Sequence, residues 1–373
     1  MEALSRRRGK AWWVTATYAV VGSIATLAMV TSMTPKVAVG DNLPTATACG
    51  SYGIAASADW ARKTTDEVQQ TYALARGVGA CGVRISVAWP DIEPRRGAYS
   101  WENLDALING ATAAGVEPML ALYAAPDWAL AAHDATPSGS SGSSSNPSRG
   151  SSTNEGFAAD FGSFAAAVAS RYAQVVNAYE VWNEPNVSRF WPSPSIDEYA
   201  TLLQATYPRI HAADSTATVV SAGLAPTADT SNSISPVKFT RGLYERGAQR
   251  YFDVMGIHPY TWNDPPEDRL RFLNVDELEG TMNEFGDTSK QMWVTEYGAP
   301  SGGLGGLTQT EQWEIIQWGI GEAARHPRIG RFYIYTLQDY PLGLTNPESY
   351  FGLYTSQGKP KIAANELRAQ AVS

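Results

Sequence analysis

Cysteine is almost missing from this 373-residue chain, which has only two, Cys49 and Cys81. So low a content excludes a small disulfide-built scaffold and any cysteine-rich zinc site. Histidine is nearly as scarce, at four. No His or Cys cluster has the spacing of metal ligands, so neither a metal nor another cofactor is expected. Positive charge is in deficit: 28 Lys and Arg stand against 37 Asp and Glu, for a net charge of -9. An acidic surface argues against nucleic acid or an anionic membrane as a partner and suits neutral or weakly charged ligands. A glycine-rich phosphate loop after the first apolar run is also lacking, which withdraws support from nucleotide-binding α/β folds.

Aromatics, by contrast, are plentiful, with 12 Trp and 18 Tyr. Core packing would absorb many of them. Others, with Trp128, Trp191 and Trp262 as candidates, would serve as flat platforms for the C–H faces of sugar rings. The amino terminus is unlike the rest. Arg6, Arg7, Arg8 and Lys10 precede an uncharged, largely apolar stretch over residues 11–30. Basic residues ahead of such a run mark an export signal. Some 20 apolar residues can also span a bilayer. Residues 1–40 are therefore expected as a signal peptide, cleaved after Ala38-Val39-Gly40, or as a membrane tether. Either sends residues 41–373 out of the cytoplasm, secreted or anchored to the outer face of the cytoplasmic membrane. In that compartment Cys49 and Cys81 are candidates for a bridge, with two buried thiols as the alternative.

Beyond residue 46 short apolar runs alternate with amphipathic stretches, the rhythm of βα units around a parallel sheet. Eight strands are expected, at 50–54, 82–88, 117–124, 175–182, 218–222, 252–258, 291–296 and 331–336. Helices are expected near 101–114, 154–173, 196–213, 237–247, 275–285, 308–324 and 363–371, with another opening at Thr64-Thr65-Asp66-Glu67. Eight strand–helix units suit an α/β fold of the (β/α)8 TIM-barrel type, typically ~250 residues before insertions. An open doubly wound sheet is the competitor. Residues 137–153, nearly all Ser, Gly, Asn and Pro, cannot bury enough apolar surface to offset their ordering entropy. They are expected as a flexible loop after the third strand, either a lid or an insertion without a role.

Two tryptophan-led segments carry the chemistry: Trp182-Asn183-Glu184-Pro185 and Trp293-Val294-Thr295-Glu296-Tyr297-Gly298. Each sets a glutamate at the end of a β-branched run, closing the fourth and the seventh expected strand. Catalytic groups of a barrel come from strand C-termini. Two carboxylates brought together there are the working parts of glycosidic bond cleavage.

These segments closely resemble those of clan A retaining glycoside hydrolases. The nearest likeness is to family 39 (β-xylosidases and α-L-iduronidases), followed by the cellulase-like family 5. The likeness extends through Val83-Arg84-Ile85-Ser86-Val87-Ala88-Trp89, Asp91-Ile92-Glu93-Pro94, Ala125-Pro126-Asp127-Trp128 and Gly256-Ile257-His258-Pro259-Tyr260. The resemblance implies that Glu184 is the acid/base, its pKa raised by the partner carboxylate, and Glu296 the nucleophile. It implies that Asn183 bonds a sugar 2-hydroxyl, that Arg84 keeps the nucleophile charged, and that His258 and Tyr260 orient the two glutamates. Glu180 reads as a supporting residue. Where many relatives end strand eight with Trp, this chain has Tyr335-Thr336-Leu337-Gln338, leaving Tyr335 or Gln338 to line the sugar site. The expected partner is a polysaccharide or oligosaccharide, bound by a monomer. A catalytically silent carbohydrate-binding protein on the same barrel is the alternative.

Overall fold

The computed structural model describes residues 51–57, 60, 63–134, 151–340 and 342–372. The expected signal or tether, Cys49 and positions 137–150 of the Ser/Gly-rich stretch lie outside the described residues.

Eight strands form one all-parallel sheet: β1 (Gly53–Ala55), β2 (Gly82–Ala88), β3 (Glu117–Tyr123), β4 (Ala178–Val181), β5 (Thr218–Ser221), β6 (Met255–Ile257), β7 (Met292–Tyr297) and β8 (Ile329–Tyr335). Their order is β5-β4-β3-β2-β1-β8-β7-β6. The two ends meet through parallel bridges, Val220 with Val254 and Leu224 with Ile257. The sheet thus closes into the eight-stranded barrel expected from the repeating pattern. Helices follow the strands: α1 (Thr65–Gly77), α2 (Trp89–Ile92), α3 (Glu102–Ala113), α4 (Asp127–Asp134), α5 (Ser151–Tyr172), α6 (Ile196–Ala213), α7 (Pro236–Glu245), α8 (Val275–Glu284), α9 (Gln309–Arg325) and α10 (Ile362–Val372).

Local chemistry sets the helix starts. Thr64 and Thr308 each cap a helix whose third residue is glutamate. The hydroxyl accepts from that residue's amide, and the glutamate carboxylate accepts from the cap's own amide at 2.8 Å in both cases. Strand alternation then separates two cores. Outward residues such as Val83, Ile85, Leu120 and Val294 pack under the helices. Inward residues Ala55, Met119, Ala178, Val220, Val254, Trp293 and Tyr333 fill the barrel as a separate buried cluster. Two positions further along the same inward faces stand Ala121, Glu180, Thr295 and Tyr335. The barrel interior therefore changes from apolar to polar toward its C-terminal mouth.

Several expected boundaries differ. β4 is shorter than the apolar run 175–182, because Val175 is exposed and Trp182 has a φ of 75°, through which no strand continues. β6 covers only three residues of the run 252–258, since Phe252 follows a 3-10 turn and Asp253 turns its carboxylate to Tyr207 and the Val219 amide. The expected loop 137–153 is overtaken at its end by α5, which begins at Ser151. The short helices α2 and α4, which carry Trp89 and Trp128, were not expected from the pattern. Four and eight residues are too few to show a helical period.

Candidate active site

The barrel mouth encloses a cavity of about 290 Å³ whose lining includes Arg84, Asn183, Glu184, Tyr260, Trp262, Glu296 and Tyr335. Its charge is organised from β2. Arg84 is buried, and its guanidinium donates in three directions: Nε to Glu180 Oε2 at 2.5 Å, Nη1 to Glu296 Oε1 at 2.6 Å and Nη2 to Asn183 Oδ1 at 2.8 Å. Burial alone would favour the neutral form, but Glu180 and Glu296 overcome it and hold Arg84 charged. Because Asn183 accepts through Oδ1, its amide nitrogen is left to donate into the cavity.

Glu296 ends β7. Its second oxygen accepts from the Tyr260 hydroxyl at 3.0 Å, and it lies 3.9 Å from His258 Nδ1. Burial pushes this carboxyl up. The charges of His258 and Arg84, with bonds from Tyr260 and Arg84, outweigh burial and hold it below the usual carboxylate range. Glu184 lies just past β4 in a left-handed backbone conformation with a φ of 44°, uncommon for any residue but glycine. Its amide donates to Gly223 O at 3.0 Å, and its Oε1 meets His258 Nδ1 at 2.9 Å. His258 is buried, which lowers its proton affinity. Glu296 and Glu184 more than reverse this and raise it above the ordinary histidine value.

A loop needs fixing for such a backbone to persist. Asn186, fully buried, donates to the carbonyls of Ala225 and Ile234 and accepts from the Ala225 amide. Tyr199 of α6 bonds Val181 O and the Ala222 amide at 2.8 and 2.6 Å, joining the ends of β4 and β5. Glu180, also fully buried, accepts from Arg84, from the Gly223 amide and from the Thr295 hydroxyl.

One oxygen each of Glu184 and Glu296 and one nitrogen of His258 lie within 4.8 Å of one another, close enough to reach a common metal ion. The fixed guanidinium 2.6 Å from Glu296 opposes a cation there, and these groups already bond Arg84, Tyr260 and one another.

Among the proposed sugar platforms, Trp262 and Tyr335 line the cavity, each with its ring edge against Phe351. Trp128 does not. Its indole donates to Glu93 O at 3.0 Å, one edge meets Trp89, and the Arg96 guanidinium sits 4.5 Å over its ring. It is only partly buried, and one side of its ring faces the Arg96 guanidinium. Trp191 is buried against Trp182, with its N–H bonded to Glu198. Gln338, the other residue offered for the missing Trp, is not part of the lining.

The cavity also contains residues that sequence reasoning missed: Tyr123, Arg189, Phe190, Glu348 and Phe351. Burial and the nearby Glu184 and Glu296 raise the Glu348 carboxyl, while Arg189 opposes the rise. Arg189 sits in a turn after β4 and Glu348 in a four-residue 3-10 turn, both too short to show a period. Tyr123, one residue before the Ala124-Ala125-Pro126 break, had the same signal as the glutamates, a strand C-terminus.

The C-terminal mouth of the (β/α)8 barrel thus holds a buried arginine that keeps Glu296 ionised, with a second carboxylate, Glu184, within 4.8 Å of it. The β-galactosidase family, glycoside hydrolase family 42, matches residues 58–218, a span that includes Arg84, Asn183 and Glu184. A family 39 glycoside hydrolase from the gut symbiont Bacteroides cellulosilyticus WH2 shares the fold, with a TM-score of 0.67 at 21% identity over 86% of this chain. The chain spans 63% of that protein's length. GH5_18 from Streptomyces cattleya, solved with GlcNAc, follows with a TM-score of 0.65 at 17% identity, over 87% of this chain and 80% of the other. A β-galactosidase from the psychrophilic Marinomonas ef1 aligns at 0.57 and 14%, over 86% and 59% of the two chains. No curated protein matches significantly. The family match covers less than half of the chain, and the solved structures share its barrel fold.

Proposed function

We propose that the protein is a retaining glycoside hydrolase that cleaves a polysaccharide or oligosaccharide by double displacement. The observation that carries this reading is the approach of the two glutamates, with nearest oxygens inside 4.8 Å. Retaining enzymes have carboxyls about 5–5.5 Å apart, whereas inverting ones leave ~6.5–9.5 Å for a water. Glu296, ionised and held by Arg84 and Tyr260, attacks the anomeric carbon. Glu184 gives the leaving oxygen its proton and then takes one from the water that releases the sugar. Asn183 offers its amide to the 2-hydroxyl, a bond that strengthens as the ring flattens. His258 and Tyr260 orient the two carboxylates. Trp262 and Tyr335 provide the aromatic walls.

The basic residues before the apolar stretch 11–30 support action outside the cytoplasm, on an extracellular or envelope glycan. Secreted protein beginning at Asp41 would identify a cleaved signal; membrane-bound protein retaining Arg6 would identify a tether.

The mechanism is tested with Glu184→Gln and Glu296→Gln on a panel of aryl glycosides. Each should reduce kcat/KM about 10²–10⁴-fold or more. Azide should rescue Glu296→Ala to a product of inverted configuration and Glu184→Ala to one of retained configuration. Wild type that binds glycans but turns over none would replace this reading with the binding-protein alternative.

A further inference from the structure

Beneath the two glutamates lies a chain of hydrogen bonds whose donor directions are all determined. Arg84 can only donate, and the Gly223 amide can only donate. Both point at Glu180, which is therefore the acceptor at 2.5 and 2.9 Å. The Thr295 hydroxyl gives its single hydrogen to Glu180 Oε1, also at 2.9 Å. Toward His258 Nε2, 3.0 Å away, Thr295 Oγ1 can then only accept. The Nε2 atom must carry hydrogen, which leaves Nδ1 alone to face Glu184 Oε1 at 2.9 Å. Gly223 closes the other side. A Cβ there would lie 2.2 Å from the imidazole and 2.7 Å from Thr295 Oγ1, so the ring has no room to turn away.

We propose that Glu180 and Thr295 are positioning residues that lock His258 in its Nε2–H tautomer, so that His258 and Glu184 share one proton destined for the leaving group. The proposal rests on the glycosidase reading and goes beyond it. With the tautomer locked, removing the shared proton leaves a carboxylate facing a bare Nδ1 lone pair, which is unfavourable. The pair therefore keeps its proton to higher pH. Without Thr295 to accept from Nε2, the neutral ring can carry its hydrogen on Nδ1 and bond the Glu184 carboxylate. The proton is then lost at lower pH.

Other charges face the same pair. Glu296 on β7 favours the protonated imidazole, and Arg84 on β2 opposes it. Glu348, with Arg189 near it, adds negative charge on the cavity side. The hydroxyls of Tyr260 and Tyr335 stay protonated, their ionisation pushed up by burial first and by Glu296 next. None of these bonds Nε2, so none can set the tautomer.

Two measurements test the lock. In the ¹⁵N-labelled wild-type chain, long-range ¹H–¹⁵N correlation of the imidazoles should show neutral His258 as Nε2–H; the resonance is assigned by its loss in His258→Gln. An Nδ1–H neutral ring would overturn the proposal whether or not the protein is active. On phenyl β-glycosides, whose poor leaving group needs the proton, Thr295→Val should move the alkaline limb of kcat/KM down by about one pH unit. Thr295→Ser should restore it. A folded, active Thr295→Val variant with an unmoved alkaline limb sinks the idea. Wild type inactive on every glycoside would sink the hydrolase reading instead and leave the tautomer measurement decisive for the lock.

Discussion

Arg84 binds Glu180, Glu296 and Asn183 through the three in-plane nitrogens of one guanidinium, a geometry that lysine could not reproduce. Through it, the charge on Glu296 depends on groups that the substrate never touches. Tyr260 acts more simply, as one donor to Glu296 Oε2. Burial raises the Glu296 carboxyl and its neighbours lower it, so loss of the Tyr260 hydroxyl shifts the balance upward. Tyr260→Phe should therefore move the acid limb of kcat/KM to higher pH by about one unit, measured with an activated aryl glycoside. Trp128 makes the opposite case. Offered as a sugar platform, it lies outside the cavity, with Arg96 over its ring and Trp89 at right angles to it. Trp128→Ala should lower unfolding free energy by about 2–3 kcal/mol, read from urea curves, and leave KM within twofold. Nothing in the residue's own letter distinguishes it from Trp262. Only the neighbours do.

Among the elements, strand ends carry the chemistry and loops shape the cavity around it. The segment after β8 is held by Lys361, which donates to Asp339 at 2.6 Å, to Ser301 Oγ at 2.9 Å and to Tyr350 O at 3.0 Å. Both charges are largely buried, so removal of one strands the other. Lys361→Met should cost about 3 kcal/mol in unfolding measurements. KM should rise as well, because the same segment presents Glu348 and Phe351 to the cavity. On β5's exit loop, Gly223 is needed for close approach rather than for an unusual φ. Gly223→Ala would push His258 and Thr295 aside and should reduce kcat about 100-fold, the usual penalty for a displacement near 1 Å. The helix starts at Thr64 and Thr308 were readable because a capping box lies within four consecutive residues. Arg189 and Glu348 were not, since the turns that carry them are too short to show a period and their direction depends on what they pack against.

At the scale of the whole molecule the closing seam is the thinnest part of the barrel. β5 and β6 meet through isolated bridges, whereas β2 and β3 pair along seven residues. Amides of β6 should exchange with deuterium before those of β2 and β3, and the order should hold at every temperature below unfolding. A strand rhythm, two glutamates at strand ends, and Arg84, Asn183, His258 and Tyr260 were all visible in the linear chain. Each depends on neighbours in sequence: alternation selects a face, and an apolar run ending in a break marks a strand exit. Which tryptophans meet the cavity, where Arg189 and Glu348 go, and which nitrogen of His258 has hydrogen were decided only when distant strands came together. Those properties belong to pairs of residues on different strands, and a barrel brings such pairs into contact without leaving any local mark on either one.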